Sequence, residues 1–136
     1  MKHLKLFEEY HHLVKKNSIY LKDLAEEYNL KFEYIHDMDD EKRKILFDIW
    51  RFGDKIKKSI KIKDLIFVQE TVGIDYIDPS YNKRDSSWTY IGDYINERVD
   101  VIKYNSEYYL MDGHHRTTWS ILNGIDEVIA IIHQEV

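Results

Sequence analysis

Residues 112–117 read Asp112-Gly113-His114-His115-Arg116-Thr117, a run in which almost every side chain can hold or move charge. An apolar run, 108–111, leads into it, and Trp119, Ile121 and Leu122 follow before Asn123-Gly124. The pattern predicts a strand, a tight turn at Asp112-Gly113, and a helix whose first turn carries the two His and the Arg. Gly113 can adopt a positive φ and lets a ligand approach the backbone. A helix start presents backbone N–H groups without intrahelical acceptors and the positive end of the dipole, which together favour an anion such as phosphate. Arg116 adds a guanidinium fork matched to phosphate oxygens; an ion pair with a neighbouring acid is its plainer use. His114 and His115 add groups whose charge can change near neutral pH, suited to phosphate contact or proton transfer. Adjacent side chains on a helix point about 100° apart, so the pair is not expected to chelate one metal ion. Thr117 could donate to phosphate or cap the surface. Asp112 could orient the turn or help hold Mg2+ beside phosphates.

The elements that must position this run can be read along the chain. Leu4, Phe7, Tyr10, His11 and Val14 have helical spacing, and Asn17-Ser18 reads as a break and an N-cap. His11-His12 is read as a helix-surface pair, with His11 partly buried. Ile19, Leu21, Leu24, Ala25 and Tyr28 predict a second short helix ending near Asn29, and residues 31–35 alternate as a short strand or extended connection. Asp37, Asp39 and Asp40 form an acidic helix start, with Ile45, Leu46, Ile49, Trp50 and Ile56 as the apolar stripe of a third helix. Residues 1–59 are therefore expected to be a helical N-terminal extension packed onto a domain formed by 60–136.

Within 60–136, residues 60–65 alternate strictly and 67–72 follow as a second extended piece. Residues 73–85 are turn-rich around Asp78-Pro79-Ser80. Trp88, Ile91, Tyr94 and Ile95 predict a helix. Val99, Val101 and Tyr104 alternate, and Asn105-Ser106 turns the chain into 108–111 as a hairpin. A buried strand at 128–132 is expected to close the fold. The aromatic residues, Trp50, Trp88, Trp119 and the many Tyr among them, are expected mostly in the core or half-buried at the surface. Tyr81 and Trp88 flank a variable loop and are candidates for stacking on a base.

Composition narrows the function classes. With 136 residues, 43% of them hydrophobic, and one Pro, the chain can bury a real core. It has no Cys, which excludes disulfides, thiolate metal sites and sulfur nucleophiles from its own chemistry. Residues 1–59 carry 13 Lys/Arg against 12 Asp/Glu, whereas 60–136 carry 7 against 13. An acidic half is a poor clamp for duplex DNA, because phosphate neutralisation supplies most nonspecific affinity. The start of the chain lacks a long apolar run and no segment approaches a membrane span, so a cytoplasmic location is expected. Abundant Lys, Ile, Tyr and Asn suggest an AT-rich coding source, bacterial or phage.

Asp112-Gly113-His114-His115-Arg116, with a strand before it and Ile121-Leu122-Asn123-Gly124-Ile125 and another strand after it, resembles the box of the ParB/sulfiredoxin-like superfamily. Gly113, His115 and Arg116 match the Gly, His and Arg of the sulfiredoxin box, with His114 where the catalytic Cys would stand. Asp112-Gly113-His114 with Arg116 is similar to the box of ParB-like free-serine kinases. The likeness covers residues 60–136. It implies an α+β (α/β) fold, a mixed sheet with packed helices. It also implies that residues 112–117 grip nucleotide phosphates, of ATP, ADP or CTP, with Mg2+ bridging them.

The resemblance further implies a loop after the opening strand that faces the nucleotide, which places Gln69 and Glu70 there. A carboxylate beside a phosphate site can take a hydroxyl's proton, so Glu70 is the candidate general base, a solvated Glu being the plain alternative. His114 is the second catalytic candidate. The expectation is a phosphotransferase or nucleotide hydrolase acting on a small hydroxyl substrate. Two alternatives stand beside it. One is a non-catalytic binding or inhibitory protein of phage or mobile-element type, meeting a protein partner through its N-terminal helices or reading a nucleotide signal. The other is a ParB-like nuclease on single strands or RNA. The missing Cys sets aside sulfinic acid reduction.

Overall fold

The computed structural model describes residues 10–78 and 97–136. Its elements are β1 (Val14–Lys15), β2 (Ser18–Tyr20), α1 (Leu21–Tyr28), β3 (Lys31–Phe32), α2 (Asp40–Phe52), β4 (Asp54–Lys61), β5 (Leu65–Phe67), β6 (Thr71–Gly73), β7 (Val99–Tyr104), β8 (Glu107–Asp112), α3 (His114–Leu122) and β9 (Glu127–Gln134). Helices and sheets are mixed, an α+β arrangement. The main sheet has the order β3-β5-β8-β7-β9-β4, and a small sheet has the order β1-β2-β6.

Local signals explain several elements. Asp39 caps α2, its carboxylate accepting the Lys42 N–H at 2.7 Å, a contact worth about 1 kcal/mol in general. Helix α1 ends at Asn29 in the left-handed conformation, which Asn tolerates. The β7–β8 hairpin turns through Asn105 and Ser106, both at positive φ, as its right-handed strand twist requires. Alternation then sorts the core. Leu65 and Phe67 of β5 face one hydrophobic cluster, with Leu21, Leu24, Val72 and Leu122. Ile66 and Val68 face the other, with Leu46 and Ile49 of α2 and Ile102 of β7. The main sheet is therefore sandwiched between α2 on one face and α1, α3 and the small sheet on the other.

The first half departs from its expected helical form. Residues 11–13 make one 3₁₀ turn, and the chain then forms the β1–β2 hairpin through Lys16 and Asn17, both at positive φ. Residues 3–9 lie outside the described residues. Ser18 is thus a strand residue, and α1 begins at Leu21. His11 is exposed, and His12 pairs with Glu27. Ile56 is not on the third helix. Helix α2 stops at Gly53, where a Cβ would meet the carbonyl oxygens of Ile49 and Gln134, and Ile56 lies on β4.

Strand β4 runs across the expected boundary at 59/60 and pairs along its whole length with β9. Residues 10–59 thus supply β1, β2, β3 and most of β4 as well as two helices, and they share both cores with 60–136. Four Lys on β4, at 55, 57, 58 and 61, charge the open sheet edge and discourage strand addition. The alternating run 60–65 is broken, since Ile62–Asp64 forms a 3₁₀ turn before β5. Among the described residues, no helix is long and apolar enough to cross a membrane.

Candidate functional site

Three strands of the main sheet, β3, β5 and β8, are mutually parallel neighbours. Parallel strands end at the same edge, so the segments leaving them are delivered to a common place, and such carboxyl ends are where open sheets bind ligands. Residues 33–36 leave β3, and the N–H groups of Glu33 and Ile35 donate to the carbonyls of Phe67 and Val68 at 2.9 Å each. Gln69 and Glu70 come after β5. Gly113 and α3 come after β8. Sequence-distant segments are thereby brought together.

Gly113 has φ +106, and a Cβ there would lie 2.4 Å from Val99 Cγ1. Only a residue without a side chain both turns the chain this way and lets β7 lie against it. The next three side chains fan out to three different segments. The Val68 N–H donates to His114 Nε2 at 3.2 Å, and the Gly73 N–H donates to His115 Nε2 at 3.3 Å. Arg116 Nη1 donates to the Arg98 carbonyl at 2.6 Å, while Nη2 lies 3.7 Å from a Glu97 carboxylate oxygen. The backbone N–H groups of His114, His115 and Arg116 have no partner among the described residues.

These contacts fix the chemistry of the imidazoles. His114 is buried, and burial, with the neighbouring His115, pushes its pKa down to about 3. Burial also lowers the pKa of His115, against the opposing carboxylates of Asp75 and Asp112. Both rings are neutral acceptors at Nε2, which assigns the proton to Nδ1. His114 thus has its Nε2 lone pair engaged by the Val68 N–H. Its Nδ1 is buried without a partner among the described residues. No group of three potential metal-ligating His, Asp or Glu residues occurs among the described residues.

Other candidates divide. Thr117 is fully buried and its hydroxyl donates to the Gly113 carbonyl at 2.9 Å, so the expected phosphate contact is replaced by a bond back along the helix. Arg116 takes the ion-pair alternative, with Glu97 and a carbonyl as partners. Asp112 ends β8 exposed. Gln69 donates to the Thr71 carbonyl at 2.6 Å, and the Glu70 carbonyl accepts the Leu21 N–H at 2.9 Å. Desolvation, then the nearby Glu70 charge, then Asp37, raise the pKa of Tyr34.

A cavity of about 350 Å³ opens here, lined by Tyr34, His36, Phe47, Trp50, Gln69, Glu70, Met111 and His114 among others. It brings Gln69 and Glu70 together with the first residue of α3. Sequence reasoning missed Tyr34, His36, Phe47 and Trp50 as lining residues. For Tyr34 the signal was the alternating run 31–35, whereas Phe47 and Trp50 reach the cavity from α2. Tyr81 and Trp88 lie outside the described residues. No protein-family model matches the chain, and no curated protein aligns with it significantly.

Proposed function

We propose that the chain is a ParB/sulfiredoxin-like domain that binds nucleotide phosphates at the start of α3 and acts as a phosphotransferase or nucleotide hydrolase on a small hydroxyl substrate. The observation that carries this reading is the bond from the Val68 N–H to His114 Nε2, which ties the Gln69-Glu70 loop to the phosphate-favouring turn. The residues fit a phosphate through backbone donors: the N–H groups of His114, His115 and Arg116 carry the dipole's positive end. When bound, ATP or ADP would supply the transferable phosphoryl group, with Mg2+ held mainly by the phosphates and Asp112 as a nearby carboxylate. Glu70 would take the proton of the substrate hydroxyl. Arg116 would have to exchange Glu97 for phosphate. That exchange is cheap, because Glu97 is more than half exposed and exposed ion pairs are generally worth about 0–1 kcal/mol.

One observation favours a second reading, a binding protein without turnover. His114 is neutral and Arg116 is already paired, so among the described residues α3 starts without an unpaired cationic side chain. Product analysis by phosphorus NMR with Mg-ATP and a panel of amino alcohols and sugars separates the two. A phosphorylated product that disappears in Glu70→Gln, with nucleotide affinity kept, supports the enzyme. Product formation unchanged by Glu70→Gln removes the base assignment, and binding without product leaves the sensor reading.

A further inference from the structure

The cavity at the ends of β3, β5 and β8 has a chemistry of its own. Tyr34 and His36 meet edge to face with centroids 5.1 Å apart, and Phe47 and Trp50 stack at 6.2 Å. All four line the same space as the Glu70 carboxylate. Among the described lining residues there is no Lys or Arg, and the one imidazole from α3, His114, is neutral. Aromatic faces carry negative potential, and together with a carboxylate they attract a cation rather than an anion. The volume, about 350 Å³, lies near the low end for ligand pockets and suits a small molecule rather than a whole nucleotide.

We infer that this cavity binds a small organic cation of the alkylated-ammonium class, its charged head between the Tyr34, Phe47 and Trp50 rings and against Glu70. The inference deepens the proposed function, because it rests on Glu70 facing the substrate and names the chemical class of the hydroxyl compound. Binding of the cation itself needs no nucleotide, so the two can fail separately.

The test titrates choline into the full chain without nucleotide, by calorimetry, beside its uncharged isostere in which a tert-butyl group replaces trimethylammonium. The expected result is saturable one-site binding of choline, about tenfold or more tighter than the isostere. Glu70→Gln and Phe47→Leu should each weaken choline, the former by about tenfold, with circular dichroism unchanged. Equal affinity for the isostere, no choline binding, or a choline affinity indifferent to Glu70→Gln would overturn the inference. Loss of choline binding with Mg-ATP still bound refutes the cation site alone. Choline bound without any nucleotide affinity supports the cation site and refutes the nucleotide reading.

Discussion

His114 Nε2 accepts the Val68 N–H at 3.2 Å, and this contact joins the first residue of α3 to the loop that carries Gln69 and Glu70. The bond requires an unprotonated ring nitrogen. It therefore makes the architecture of the site dependent on pH as well as on packing.

That dependence has a definite sign. The His114 pKa is lowered from 6.5 to about 3, so between these values the unfolded chain binds a proton that the folded chain does not. Stability from this group is fully present above pH 6.5 and falls on acidification towards pH 3. The loss is about 2 kcal/mol by pH 5, at roughly 1.4 kcal/mol per pH unit. His115, also lowered, acts in the same direction. Urea denaturation at pH 7 and pH 5 should show a smaller acid loss for His114→Gln than for wild type; equal losses would contradict the assignment.

Gly113 is fixed by both conformation and space. In Gly113→Ala the Cβ must occupy a left-handed position and displace Val99, at a combined cost of about 2–4 kcal/mol. Adding Val99→Ala removes the collision but not the backbone strain. The double variant should be more stable than the sum of the two single changes, as measured by denaturation. Simple additivity would mean that the collision is relieved elsewhere.

Glu97 competes for the guanidinium that a phosphate would need. Glu97→Gln should change stability by less than about 1 kcal/mol, since Glu97 is more than half exposed and Arg116 keeps the Arg98 carbonyl as a partner. The same substitution should leave Mg-nucleotide affinity unchanged or raise it. A clear fall in affinity would show that Glu97 helps build the site rather than holding Arg116 in reserve.

The legible parts of the chain were those whose geometry is written locally. Asp39 with its acidic neighbours announced α2, Asn29 ended α1, and Asn105-Ser106 marked the β7–β8 turn. Gly113 was legible for a like reason, a sharp reversal before a polar helix start. The β1–β2 hairpin was hidden because its turn is Lys16-Asn17 without Gly, while Tyr10 and Val14 keep helical spacing. Strand β4 was hidden because it is exposed on both faces except at Ile60, so hydrophobic alternation hardly registers. What lay furthest from local reading was the cavity. Its walls meet only through the parallel pairing of β3, β5 and β8, and the partners of Arg116 depend on where β7 begins.

The nucleotide reading requires that negatively charged phosphate oxygens be held at the opening of α3. Calorimetric titration of Mg-ATP, Mg-ADP and Mg-CTP into wild type and Arg116→Ala decides whether they are. One-site binding of at least one of these nucleotides is expected, weakened about tenfold or more in Arg116→Ala as a charge-assisted contact is lost. No binding at millimolar concentration, or equal affinity in the two proteins, would contradict it.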